Sequence, residues 1–242
     1  MSISIRKTGR AGRITLQREQ ALNAVTWEMI REISAIVPLW DKEDSGDVVV
    51  IDATGKRAFS AGGDIAEIYA ALVKEDFETP RRFWREEYQM NAMLYHFPKP
   101  VVTFLQGYTM GGGVGVGCHA SHRVVGDTSR IAMPECSIGL VPDIGGSLLL
   151  ARAPGYVGAY LGTTATRMGP GDAIFAGFAD TYIPEAQWPA LIAKLEEGGD
   201  IDVLQSNAEH APHSPLSLKQ NEIDLFFSAE TFLWVLDTLQ AS

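Results

Sequence analysis

Residues 107–146, GYTMGGGVGVGCHASHRVVGDTSRIAMPECSIGLVPDIGG, constrain this chain more than any other stretch. Three consecutive glycines, Gly111 to Gly113, lead into small apolar residues, so the backbone can pass close to a neighbour and offer bare N–H groups at a helix start. Amides presented in this way stabilise a developing oxyanion. Glu135 follows Pro134 and Asp143 follows Pro142, which places two carboxylates eight residues apart in a segment with little other charge. Such a pair is suited to acid–base work. Each feature alone has a plainer reading: a turn or tight helix packing for the glycines, a helix start for Pro-Glu and Pro-Asp.

A segment of this kind needs a core to hold it. With 242 residues, 46% of them hydrophobic and 21% charged, the chain is long and apolar enough for one globular domain with a sizeable core, with or without a small appendage. A net charge of −10 argues against a phosphate-backbone binder, so no nucleic-acid partner is expected. Cys118 and Cys136 show no CxxC spacing, and with His119 and His122 they form no metal-like cluster, so no metal is assigned. The opening MSISIRKTGRAGRITL lacks the apolar core of a signal peptide, and no apolar run is long enough to span a bilayer. The expectation is a cytoplasmic protein without a membrane partner.

The rest of the chain alternates strands and helices. Residues 3–5 and 14–16 read as a hairpin turned between Gly9 and Gly12. Thr26 caps a helix whose apolar stripe, Met29, Ile30, Ile33, Ile36 and Val37, ends near residues 38–41. Residues 48–51 and 101–105 read as buried strands. Between them a glycine-containing turn ends at Asp64, itself a helix cap, and a helix over 81–95 carries Arg85, Glu86 and Glu87 as a solvated face. Asp172 caps a later helix, a short strand lies within 177–182, and 186–242 is helical and polar, ending in an amphipathic piece over 229–239. From periodicity alone the class is mixed α/β.

Taken in order, GGG, RVVG, MPE, IGLVPD and GG resemble the crotonase (enoyl-CoA hydratase/isomerase) superfamily, and within it the 3-hydroxyisobutyryl-CoA hydrolases. The resemblance implies an α/β, crotonase-like (ClpP/crotonase) spiral of ββα units over 1–185 and a helical C-terminal region over 186–242 that is short relative to the family. It implies that Gly63 and Gly112 are the two oxyanion donors and that Arg57, Ala61, Gly62 and Asp64 line coenzyme A. Glu87 is carried over as substrate-binding, Glu135 as nucleophile or as the base that activates water, and Asp143 as the residue that holds the substrate's 3-hydroxyl. One position departs from the hydratases: where they carry a glutamate two residues after the third glycine, this chain has Gly115. The implied activity is therefore hydrolysis of an acyl-CoA thioester, 3-hydroxyisobutyryl-CoA first among candidates, with coenzyme A as part of the substrate, no separate cofactor, and a homo-oligomer as a possible assembly. The alternatives are an enoyl-CoA hydratase or isomerase of the same superfamily, and a non-catalytic coenzyme A-binding or assembly subunit.

Overall fold

The computed structural model describes residues 2–43, 46–229 and 231–240; the outermost residues of the two expected regions, 1, 241 and 242, lie outside it. The chain winds through four successive strand–strand–helix turns. The first is β1 (Ile3–Thr8), β2 (Ala11–Leu16) and α1 (Trp27–Asp41). Thr26 Oγ1 accepts the Met29 amide at 3.3 Å, the expected cap, and α1 buries Met29, Ile30, Ile33, Val37 and Trp40. The second turn is β3 (Val48–Ala53), β4 (Ala58–Ser60), α2 (Ile65–Leu72) and α3 (Glu78–Tyr95). Helix α3 starts three residues before the expected 81, because Asp76 Oδ1 accepts the Glu78 and Thr79 amides, each at 3.1 Å, and Pro80 falls in the first turn, where no N–H is needed.

The third turn is β5 (Val101–Phe104), β6 (Tyr108–Met110) and α4 (Gly112–Cys118). The fourth is β7 (His122–Val125), β8 (Arg130–Ala132), a 3-10 turn at Glu135–Ile138, and α5 (Gly146–Arg152). There follow α6 (Val157–Thr164), α7 (Pro170–Phe175), β9 (Thr181–Tyr182), α8 (Trp188–Gly198), α9 (Asp202–Ser206), α10 (Pro215–Phe227) and α11 (Phe232–Gln240).

Both strands of the first turn join the larger sheet, and each of the next three turns sends its first strand there and its second to a smaller sheet. The larger sheet runs β1-β2-β3-β5-β7-β9, antiparallel only between β1 and β2, and the smaller runs β4-β6-β8, all parallel. Both faces of the larger sheet are buried, which is why 48–51 is apolar throughout instead of alternating. Val49 and Ile51 face the main core, while Val48, Val50, Val102 and Phe104 meet Trp188, Leu191, Ile192 and Leu195 of α8. Asp172 corrects one expectation. It lies in the first turn of α7, whose N-cap is Gly169, and its carboxylate instead accepts Ser214 Oγ at 2.7 Å and the Leu216 amide at 3.0 Å, at the start of α10.

Candidate active site

The site forms where the three parallel strands of the smaller sheet end. Beyond β4 come Ala61, Gly62 and Gly63; beyond β6, Gly111 and Gly112; beyond β8, Pro134 and Glu135. Because β6 lies between the other two in register, the three loops emerge side by side at one end, the usual place for a site in parallel sheets. The approach is close enough that only glycine fits. A Cβ on Gly112 would lie 2.9 Å from the Gly63 nitrogen and 2.5 Å from Glu87 Oε1, and one on Gly111 would lie 3.0 Å from Glu135 Oε1. Gly111 also holds φ at +49° and Gly62 at +118°, conformations that favour glycine. Neither the Gly63 nor the Gly112 amide donates a hydrogen bond to any described residue, so two N–H groups stand free beside each other at a cavity of about 90 Å³.

Two carboxyls share that cavity in nearly dry surroundings. Glu135 is 6% exposed and Glu87 only 2%, and Glu135 Oε2 and Glu87 Oε1 are buried without a hydrogen-bond partner among the described residues. Burial first, and then the negative charges of Asp143 and Glu135, raise the Glu87 pKa to about 8. Burial, joined by the Asp143 charge, raises that of Glu135 to about 7. At neutral pH the site thus holds one carboxyl that is mainly protonated and one near its midpoint. Unpartnered buried carboxyls with raised pKa values in a cleft mark a functional site. Glu87 departs from the solvated face read from its charged neighbours: α3 turns Glu87 inward together with Phe83, Met90, Asn91 and Leu94, while Glu86 pairs with Arg82 at 3.0 Å and accepts Trp27 Nε1 at 2.6 Å.

Asp143 closes the cavity from the other side, its Oδ2 accepting the Tyr88 hydroxyl at 2.5 Å. Ile68, Phe83, Trp84, Ile138 and Leu140 supply the apolar wall. Of the positions expected near coenzyme A, Ala61 and Gly62 line the cavity. Arg57 sits exposed at the opposite end of β4, with its carbonyl accepting the Tyr108 amide at 3.0 Å. The Asp64 carboxylate caps α2 through the Glu67 amide at 3.3 Å and pairs with Arg18 at 2.8 Å. The sequence did not reveal the part played by Tyr88, Trp84 and Asn91. Their one available signal is spacing: 84, 87, 88 and 91 fall on a single helical face around Glu87.

The fold and this cluster define a crotonase-type α/β protein. The family model for enoyl-CoA hydratase/isomerase matches residues 11–242, and the chain belongs to that family. The mitochondrial 3-hydroxyisobutyryl-CoA hydrolase of Danio rerio is 36% identical over 245 residues, spanning 97% of this chain and 64% of that protein. The chain therefore spans less than two thirds of the length of that relative. A crystal structure of an enoyl-CoA hydratase from Rhodobacter sphaeroides 2.4.1 is 55% identical, with a TM-score of 0.96 over 100% of this chain and 70% of that one. A carnitinyl-CoA dehydratase from Mycobacterium thermoresistibile is 37% identical, with a TM-score of 0.95 over 99% of this chain and 70% of the other. These names share an acyl-CoA and differ in the reaction, so the choice among reactions rests on the site. Among the described residues, no helix is long and apolar enough to cross a membrane.

Proposed function

We propose that this chain hydrolyses a short 3-hydroxyacyl-CoA thioester, with 3-hydroxyisobutyryl-CoA as the leading substrate. One observation carries the reading: two free amides, Gly63 and Gly112, stand beside a buried carboxyl, Glu135, whose pKa is raised to about 7. In the proposed reaction the thioester oxygen accepts both amides and gathers negative charge as the carbonyl carbon becomes tetrahedral. Each donor is worth about 3 kcal/mol of barrier. Ionised Glu135 takes a proton from water, the oxygen of that water bonds to the carbonyl carbon, and the carbon–sulfur bond breaks. The departing thiolate takes up the proton, giving the acid and free coenzyme A. In the alternative Glu135 attacks directly, expelling the thiolate, and water then attacks the Glu135 carbonyl of the resulting anhydride, which would carry solvent ¹⁸O into Glu135 during a single turnover; the base mechanism carries it only into the product.

Asp143 is assigned to the substrate's 3-hydroxyl, accepting it on Oδ1 while Tyr88 occupies Oδ2. Glu87, mainly protonated at neutral pH, offers an O–H beside Gly112. Coenzyme A enters as part of the substrate. The setting proposed is cytoplasmic, in keeping with two free thiols, and a homo-oligomer is the assembly to be sought by light scattering.

A hydratase reading is supported by the relative solved as an enoyl-CoA hydratase. The space at Gly115, where hydratases carry their second glutamate, opposes it: a Cβ there would lie 2.5 Å from Asn91 Nδ2 and 3.0 Å from its Cγ. A purely binding subunit would have no use for buried unpaired carboxyls, which carry a folding penalty. The deciding experiment measures thiol release across a panel of short acyl-CoA esters alongside hydration of crotonyl-CoA. Faster hydrolysis of 3-hydroxyisobutyryl-CoA is expected; hydration at a comparable or greater rate would overturn the proposal.

A further inference from the structure

The placement of Asp143 raises a mechanical question. Among the described residues its carboxylate receives a side-chain hydrogen bond only from Tyr88, which is itself exposed, so its position depends on the backbone that carries it. That backbone is unusual. Ile144, next in the chain, holds φ at +49°, a left-handed conformation that a β-branched residue avoids unless its surroundings impose it. Gly145 follows at φ +77°, and the Gly146 amide closes the turn onto the Asp143 carbonyl at 2.6 Å.

Two buried side chains, from α3 and from the end of α4, meet at a second carbonyl of this turn, that of Ile144. His119, at the end of α4, places Nε2 2.8 Å from Ile144 O, and Asn91 of α3 directs Nδ2 to the same oxygen at 3.4 Å. A carbonyl can only accept, so Nε2 carries the proton, and it does so in both the neutral and the charged ring. Tyr95 stands edge-on to the imidazole, with the ring centroids 6.1 Å apart. Asn91 needs room for this reach, and the room exists because residue 115 has no side chain. The position without the hydratase carboxylate is therefore filled by a residue that braces the Asp143 turn.

We propose that His119 and Asn91 are positioning residues that clamp the Ile144 carbonyl and so set where Asp143 stands, and that Gly115 is glycine because this clamp occupies its space. The proposal rests on the functional reading above for its effect on substrate. A misplaced Asp143 no longer receives the 3-hydroxyl, whereas isobutyryl-CoA, which lacks that group, depends only on the oxyanion amides and Glu135. The ratio of kcat/KM for the two thioesters therefore reports the clamp.

The test compares wild type with His119→Phe, which keeps a ring and loses the donor, and His119→Gln, whose amide can reach the same carbonyl. His119→Phe is expected to lower the ratio about tenfold or more, a loss typical of small misplacements, and His119→Gln to retain most of it. Asn91→Ala removes the clamp's other donor from α3, and it serves if His119→Phe fails to fold. Crystal structures of the variants read the clamp without reference to activity: Ile144 should leave the left-handed region in His119→Phe or Asn91→Ala and keep it in His119→Gln. An unchanged ratio with Ile144 in place, or a His119→Gln variant as impaired as His119→Phe, would overturn the clamp. A wild type with no preference for the hydroxylated thioester would instead overturn the substrate assignment, and the variant structures would still decide the clamp.

Discussion

Gly112 carries more than conformational freedom, because the space a side chain would take already belongs to Glu87 Oε1 and the Gly63 nitrogen. Gly112→Val should lower kcat/KM by about 100-fold, measured with thermal unfolding on the same preparation. A stable variant with undiminished turnover would remove this amide from the mechanism. Glu135→Gln should abolish turnover while calorimetry still detects binding of coenzyme A, since the proposed role is in the reaction and not in holding the nucleotide. The same carboxyls set the pH behaviour. If Glu135 acts ionised, kcat/KM in the wild type rises with pH through about 7. Stability runs the other way. A carboxyl raised from 4.5 to about 8 binds more protons folded than unfolded, so Glu87 makes the protein less stable as pH rises across that interval. Buried His119, its pKa lowered by burial, opposes this trend below 6.5, so the window to read is from about 7 to 8.5, where Glu135, raised to about 7, adds a smaller loss of the same sign that Glu87→Gln does not remove. Thermal unfolding should fall across that window in wild type and change less in Glu87→Gln; identical slopes would show that Glu87 is not the group involved.

At the scale of elements, three short parallel strands and one long helix build the site. The glycine run, MPE and the turn ending at Asp64 were all legible in sequence because each is a local signal: glycines in a row, proline before an acid, a cap before an apolar run. Their convergence was not legible, since β4, β6 and β8 are three residues each and nothing in such a short run says which strands pair. Helix α3 shows the same limit from the other side. Its charged stretch reads as solvated, yet one turn rotates Glu87 inward and sends Glu86 to Arg82 and Trp27. Gly115→Glu tests the coupling between α3 and α4. Restoring the hydratase carboxylate should not produce a hydratase, because the new side chain displaces Asn91; both thioester hydrolysis and unfolding temperature should drop. Crotonyl-CoA hydration gained without loss of stability would show that the space is freely available.

Across the whole molecule, later helices are tied back to the spiral by a few specific contacts. Helix α8 covers the outer face of the larger sheet, and Arg13 of β2 links to it through Glu196 at 2.8 Å and to Asp52 of β3 at 2.6 Å. Asp172 joins α7 to α10 by accepting Ser214 Oγ and the Leu216 amide. Asp172→Ala leaves that buried amide without its acceptor, at a cost of about 1–3 kcal/mol, and should lower the unfolding temperature by several degrees while kcat/KM stays near wild type. A variant as stable as wild type would show that the Ser214 cap suffices alone.

What the sequence determined by itself is local and chemical: the strand and helix periods, the Thr26 cap, the glycine corner, and carboxylates at 135 and 143 in a pattern that identifies the family. Those features need only near neighbours in the chain to be recognised. The tertiary structure alone decided that Glu87, placed near the substrate in sequence only by resemblance, is buried, that Asn91 fills the space left at Gly115, that Asp172 accepts an amide of a distant helix, and that left-handed Ile144 turns its carbonyl to His119. Each of these depends on which residues far apart in sequence become neighbours. Burial and the negative charge of Asp143, not residue type, then raise the pKa of both glutamates.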